Sequence, residues 1–465
     1  MAQIEGVDRN QQFMFPPTLD EWVAKDHPAR VVEMFVESLD TKELGFSEKN
    51  RKTGRPNYSP KAMLKILLYG YATGERSSRI LERKTHDDIA YRWLSRDLHP
   101  DYRSIARFRQ NNTEAMNKLL QATLEMYVEA GCEISGVVFT DGTKLYANAS
   151  DNNMASDKRI KRLEELAKKI LDEAEKRDQD EDEEQGRNND QFLRKGSLEK
   201  IKAKIIKMKE AQKANDKQTV SMTDKDAKFM RHSMGKGIHV SYNAQITADK
   251  NGIVVAADVT EKAADDGELL KASIEQTEKN TGKKVKTIVA DAGYYETETL
   301  RQLSKKYKCL VPKGKNAAKG ETRFEYNRKT KRYECEKGSE LVRITSKVVN
   351  GNRYLVYAAK SGDCNSCELC GKCYKGKGTK KYGRRIMIYE HHKFVEKYLM
   401  KFKKNKKLYD KRKTIIEPTI GTIKVRQRFR GFLLRGLQKV KAEWVLASTG
   451  HNLLKIWKIQ LENQP

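Results

Sequence analysis

The sequence predicts an α/β core preceded by a helical N-terminal region and interrupted by two insertions. Three observations predict it. Apolar positions step by three and four through the first 130 residues. From Gly136 onward, short β-branched runs alternate with helical stretches. Two segments, about 152–222 and about 315–405, then break that alternation with a different composition.

In the N-terminal region, Ser59 and Pro60 stand ready as N-cap and first helical residue before Met63, Leu64, Ile66, Leu67 and Leu68. Ser104, Ile105 and Phe108, followed by Met116, Leu120, Leu124 and Tyr127, predict one long helix with Arg103, Arg107 and Arg109 at its start. These arginines read either as a DNA-binding face or as solvated charges on a bundle. Val137 to Phe139 forms the first strand. Ile238 to Ile246 alternates with period two and is followed by Asp249-Lys-Asn-Gly252 and Ile253 to Val259, a hairpin with an Asn-Gly turn. Helices over 266–280 and 296–306 alternate with strands at Thr287–Ala290 and Cys309–Pro312. Leu437, Val440, Trp444, Ala447, His451 and Leu454 mark a closing helix packed on the core, with His451 as a packed polar residue. Glu443 and Asp410 read as solvated charges. The predicted division is a helical domain over 1–130 and an α/β domain over 131–465.

The first insertion carries Ile160, Leu163, Ala167, Ile170 and Ala174, then Leu198, Ile201, Ile205 and Met208, both at helical spacing. An acidic link, Asp178 to Gly186, separates the two runs, so an antiparallel helical hairpin follows. A homodimer in a DNA complex stands beside it as the second reading of the same heptads.

At 465 residues the chain buries a full core, and Lys plus Arg outnumber Asp plus Glu by 93 to 64, for a net charge of +29. That excess points to a polyanionic partner. It is concentrated: residues 371–413 hold 17 Lys or Arg against 3 Asp or Glu. The N-terminus lacks the basic-then-apolar pattern of a secretory signal, and no apolar run approaches the roughly 20 residues of a membrane span. A cytoplasmic protein without structural disulfides is expected.

The segment Tyr409 to Lys424 adjoins this basic stretch and sets Glu417 among Tyr409, Arg412, Lys413 and Lys424. Glu417 and Lys424 are seven apart, two helical turns, so both can project from one face. Pro418 predicts that the helix begins there with Glu417 at its cap. Two further acids follow apolar runs, Asp141 in Val137-Val-Phe-Thr-Asp-Gly142 and Asp291 in Thr287-Ile-Val-Ala-Asp-Ala-Gly293. Each reads as a carboxylate delivered at the exit of a buried strand. Carboxylates beside cations suit a site that holds divalent metal and meets a phosphodiester.

On these motifs the chain resembles the DDE transposases of bacterial insertion sequences, in the branch marked by Tyr-x2-Arg-x3-Glu-x6-Lys. The resemblance extends to Gly54-Arg-Pro-Asn-Tyr58-Ser-Pro60, Leu64 to Tyr71, Ser77-Ser78-Arg79, Ile105 to Arg109, Thr223 to Ala227, Tyr242-Asn243-Ala-Gln245 and Ala290 to Tyr294. It implies an RNase H-like core that binds the double-stranded DNA of the element's terminal inverted repeats, then cleaves and transfers strands. It further implies Asp141, Asp291 and Glu417 as ligands of Mg²⁺ or Mn²⁺, with Tyr409, Arg412 or Lys413, and Lys424 on phosphates. Arg107 and Arg109 would then contact DNA ends. Four residues, not three, separate Arg412 from Glu417, so either Arg412 or Lys413 fills the basic position. Two other classes fit parts of the pattern: a non-catalytic DNA-binding regulator derived from a transposase, and a stand-alone RNase H-like nuclease.

Cys335 and the run Cys364-x2-Cys367-x2-Cys370-x2-Cys373 suggest tetrahedral thiolate zinc. The resemblance selects Cys335, Cys364, Cys367 and Cys373, leaving Cys370 spare. Iron–sulfur ligation and a contribution from His391-His392 are the alternatives. Cys132 and Cys309 read as small core residues.

Overall fold

The structure, a computed structural model, describes residues 18–46, 56–181, 190–214, 219–232, 237–314, 324–327, 330–349, 352–371, 373 and 382–463. Gly54 of the resembling N-terminal motif, most of the acidic link and Lys375 to Lys381 of the basic stretch lie outside them.

Along the chain come helices α1 (Pro28–Ser38), α2 (Pro60–Thr73), α3 (Ser78–Asp87), α4 (Ile89–Ser95), α5 (Tyr102–Asn111) and α6 (Leu119–Glu129). Strands β1 (Val137–Tyr146) and β2 (Met154–Ser156) follow, then α7 (Asp157–Glu181), α8 (Asp190–Ala214) and β3 (Thr219–Ser221). Next are β4 (Lys228–Arg231), β5 (Ile238–Asp249), β6 (Val254–Thr260), α9 (Gly267–Thr281), β7 (Thr287–Val289), α10 (Thr297–Leu303) and β8 (Lys308–Leu310). Strands β9 (Phe324–Asn327), β10 (Arg332–Cys335), β11 (Glu340–Val349), β12 (Asn352–Lys360) and β13 (Tyr382–Tyr389) precede α11 (His392–Lys404), α12 (Arg412–Gly421) and α13 (Leu437–Glu462).

The N-terminal helices begin where short polar residues accept otherwise orphaned N–H groups. Asp88 accepts from Ala90 and Tyr91, and Asp101 from Arg103 and Ser104. Pro60 opens α2 at N1 after Ser59, whose side chain makes no capping bond. The long helix expected through Ser104–Tyr127 is instead broken into α5, the single turn Thr113–Met116 and α6. Asn112 breaks it: its backbone leaves the helical region and its amide bonds back to the Phe108 carbonyl at 2.8 Å.

The chain divides into two compact units, the first comprising residues 1–265, 272–286 and 412–465. There β5 pairs antiparallel with β1 on one side, and with β4 then β6 on the other. The expected β5–β6 hairpin is present, its turn held by buried Asp249, which accepts from the Asn251 and Ile253 amides. The first strand runs to Tyr146 rather than ending at Phe139, so Asp141 sits within it, opposite Ile246. α13 is buried over most of its length and packs against α1, α2, α6 and β6. Its Trp444 donates to the Gln245 carbonyl at 2.8 Å, and Asn452 acts as a strand edge, exchanging hydrogen bonds with both backbone groups of Val254. His451 is packed as expected: its Nε2 lies 3.0 Å from the Gly252 carbonyl, and burial lowers its pKa to about 4. The helical hairpin takes form as α7 and α8, which close with β2 and β3 over Ala155, Ile160, Ile205 and Met208.

The second unit comprises residues 266–271 and 287–411. Strands β7 and β8 pair in parallel, as a βαβ crossover through α10 requires. The Tyr398 hydroxyl bonds both the amide and the carbonyl of Val311, just past β8. The cysteine-rich segment holds a five-stranded antiparallel sheet in the order β13-β12-β11-β10-β9. Its buried face collects Tyr333, Leu341, Tyr357, Ala359 and Ile386. Cys309 is buried, and its thiol is pushed up to about 11.

Candidate functional site

Side chains alternate along β1, so Asp141 and Thr143 share one face of the strand. α12 packs across β1 and β5. Arg412, its first residue, donates from Nη2 to Asp141 Oδ2 at 2.9 Å, with the two side chains only 10% and 17% exposed. Asp141 Oδ1 accepts from the Gly142 amide at 2.9 Å. From the other end of the segment, the Lys424 ammonium donates to the Thr143 hydroxyl and approaches the Lys144 carbonyl at 3.5 Å. Two cations twelve residues apart thus converge on residues 141 and 143 of one strand, and Glu417 lies between them in sequence, exposed.

The expectation that Glu417 caps a helix beginning at Pro418 is overturned. α12 runs unbroken through Pro418 to Gly421. Pro418 and Thr414, whose carbonyl the missing N–H would have met, are both exposed, so water can satisfy the freed oxygen. Residues Thr422–Arg426 then continue as a π-helical turn, with the Gln427 amide donating to the Thr422 carbonyl at 3.1 Å. Such turns recur at functional sites; this one carries Lys424. Arg412, Ile416, Thr419 and Ile423 form the buried stripe, and Lys413 is exposed. Arg412, not Lys413, therefore meets the carboxylate.

Gly142 has a local cause. A Cβ there would lie 2.5 Å from Asp265 Oδ1 and 2.6 Å from Gln245 Nε2. Asp265 Oδ1 accepts from the Asn243 and Gln245 amides, each at 2.8 Å, behind the strand that bears Asp141. Asn243 and Gln245 belong to the motif quoted for the resemblance; Asp265 had no distinguishing sequence signal.

In the second unit, Asp291 follows β7 and accepts from the Gly293 amide at 2.6 Å, at the head of a short 3₁₀ turn. Tyr409 lies on the turn Lys406–Asp410, its ring 5.1 Å from that of Phe402. Cys335, Cys364, Cys367, Cys370 and Cys373 all line one cavity. Cys364 Sγ accepts from the Arg384 amide at 3.2 Å and Cys367 Sγ from the Leu369 amide at 3.4 Å. Amides aimed at sulfur suit thiolates, although among the described residues no three His, Cys, Asp or Glu are close enough to form a metal-holding group.

Two charge assignments need correction. Arg109 does not face solvent: it is 5% exposed and donates to the Tyr71 hydroxyl and the Arg76 carbonyl, so it is spent inside the bundle. Arg107, on the same helix, is exposed. Glu443 is fully buried, not solvated. It accepts from the Leu433 and Leu434 amides at 2.9 and 3.0 Å and from Arg76 at 3.2 Å. The signal was its place in the apolar run Ala442-Glu-Trp-Val-Leu-Ala447, where a charge must be paired. Arg76 also stacks its guanidinium 4.1 Å from the Phe429 ring centroid and bonds the Gly431 carbonyl. Asp224 and Asp226 accept from the Gly436 and Leu437 amides. Three carboxylates thus fasten the turn between the π-helical residues and α13.

Comparison with known proteins gives two matches. Residues 17–111 match a transposase domain (DUF772), and residues 334–457 match a transposase DDE domain. The second takes in the cysteine cluster, Arg412, Glu417 and Lys424; Asp141 and Asp291 lie before it. No curated protein and no solved structure matches the chain. Among the described residues no helix is long and apolar enough to cross a membrane.

Proposed function

We propose that this chain, which carries the domains of a DDE transposase of an insertion sequence, binds the terminal repeats of its element as duplex DNA and cleaves and transfers their strands. The observation that carries the reading is the convergence of Arg412 and Lys424 on the face of β1 that bears Asp141, with Glu417 between them in sequence. Asp141 and Glu417 are hard oxygen donors that suit Mg²⁺ or Mn²⁺ and not zinc, and Asp291 is the third carboxylate that the resemblance implies. Such ions, when bound, supply Lewis-acid stabilisation of the attacking and leaving oxygens. Arg412 orients the Asp141 carboxylate. Lys413, exposed beside it, together with Lys424 and Tyr409, takes the neighbouring phosphates, and Arg107 is the remaining N-terminal contact. Strand cleavage of an end-repeat duplex in Mg²⁺ tests the reading; a protein that binds the duplex but never nicks it would be a regulator instead.

DNA binding is expected to be strongly electrostatic. Log affinity should fall with log salt at a slope of about −0.9 per phosphate contacted. Lys403, Lys404, Lys406 and Lys407 are all exposed on α11 and the turn after it. Changing these four to Glu should flatten the slope; a slope equal to the parent's would place the binding face elsewhere.

The cysteine-lined cavity is read as a structural zinc site that Cys335, Cys364, Cys367 and Cys373 would close on binding the ion, with exposed Cys370 spare. Elemental analysis of the purified chain should find about one zinc per chain. Cys364→Ser and Cys367→Ser should each lower it, and Cys370→Ser should not. Parent protein free of both zinc and iron would refute the site.

A further inference from the structure

At the far end of β1 from Asp141, an aromatic cluster stands on the surface without a part in the chemistry above. The Tyr146 ring lies parallel to that of His232, with centroids 4.5 Å apart and planes 14° apart. His239 meets both edge-on, at 5.2 and 5.5 Å. Each imidazole is fixed from behind: His239 Nδ1 sits 2.7 Å from Asp151 Oδ2, and His232 Nε2 2.7 Å from the Ser241 hydroxyl. Asp151 is itself held by the Val240 amide at 2.8 Å. The Tyr146 backbone is clamped between Arg430 and Phe432, whose carbonyl and amide it bonds. Tyr146 is 39% exposed.

Two exposed arginines adjoin the cluster along the chain. Arg430 is exposed and bonded through its carbonyl to Tyr146 itself, and Arg231 is exposed immediately before His232. The carboxylate bonded to the cluster, Asp151, is engaged by His239. Among the described residues no three His, Cys, Asp or Glu are close enough to hold an ion, so the cluster is not read as a metal site. A rigid, partly exposed stack of flat rings on a chain of net charge +29 suits a nucleic-acid contact, the rings meeting a base.

We propose that the Tyr146–His232–His239 cluster is a stacking seat for an unpaired nucleobase. It lies five residues along β1 from Asp141, roughly 17 Å at about 3.3 Å per residue, on the opposite face by strand alternation. It is therefore a nucleic-acid contact separate from the scissile phosphate. Bases inside a duplex do not offer a free face, so the seat selects single-stranded or locally opened DNA. The proposal rests on the reading that the chain handles DNA, but not on its cutting it.

The test measures affinity for a short oligothymidylate and for a duplex of equal length, by fluorescence anisotropy without added Mg²⁺ or Mn²⁺ so that no cleavage intervenes. Base–aromatic stacking is worth about 1–3 kcal/mol per base. Tyr146→Leu, which keeps apolar bulk and loses the ring, should weaken single-strand binding about tenfold and leave duplex binding within about twofold; Tyr146→Phe should match the parent. Thermal unfolding at the parent's temperature confirms that Tyr146→Leu is folded, and His232→Leu serves as a second probe of the stack should it fail. Single-strand binding unchanged in both Leu variants, or single-strand and duplex binding lowered alike, would overturn the proposal. If Tyr146 matters for single strands in a chain that never nicks DNA, the seat stands and the transposase reading falls.

Discussion

Asp141→Ala, Asp291→Ala and Glu417→Ala are each expected to bind end-repeat DNA about as well as the parent and to lose strand cleavage in Mg²⁺. The loss should be at least roughly a hundredfold to a thousandfold, the range for removing one group that stabilises the reacting oxygens. Binding survives because the cations remain: Lys413, Lys424 and the exposed lysines around residues 403–407 are untouched. Asp410, exposed, is the control acid. Glu443 cannot serve as a second control, since its burial would confuse a folding defect with a chemical one. Should Glu417→Ala cleave normally while the two aspartate variants do not, the third carboxylate has been misplaced. Normal cleavage by all three would refute the DDE assignment.

Glu443→Ala is expected to be the most damaging single change to folding among the charged residues. It strands the Leu433 and Leu434 amides and leaves Arg76 without its carboxylate, with the Arg76 side chain 11% exposed. Breaking a buried pair by removing one partner costs about 3–5 kcal/mol, comparable to the whole margin of many domains. Glu443→Gln keeps an oxygen for the amides and should cost less. Urea midpoints for parent, Glu443→Gln, Glu443→Ala and Asp410→Ala rank them; an Ala midpoint equal to the parent's would show that water reaches the orphaned groups.

How much of this could be read from residues alone depended on whether the informative contact was local. The β5–β6 hairpin, the α7–α8 pair and the closing helix announce themselves by periodicity, and each is present. Asp141 and Glu417 were legible as carboxylates in telling surroundings, but their backbone settings were not. A strand continues past Asp-Gly because β5 pairs it on to Ser241, and a helix tolerates Pro418 because the freed carbonyl is on its wet side. The five strands after residue 323 are hard to read because their alternation is irregular: in Glu340 to Val349, Leu341 and Val342 stand side by side and a bulge between Arg343 and Thr345 breaks the period. Arg109 and Glu443 were misread for one reason: a charge looks solvated until its distant partner is known, and the Arg76–Glu443 pair spans 367 residues of sequence.

That span has a consequence for the order in which the chain can mature. α13 is synthesised after every element it packs against, and α1, α2 and α6 close on it across more than 300 residues. Loop closure grows only logarithmically with length, so the separation costs little in final stability. It costs time, because contacts this remote in sequence slow folding. Until α13 leaves the ribosome, the N-terminal helices wait with apolar faces uncovered, exposed to aggregation and to chaperones. The turn that carries Arg428 to Gly436 is sealed in the same late event, so the segment bearing Lys424 reaches its final setting only once α13 has been made.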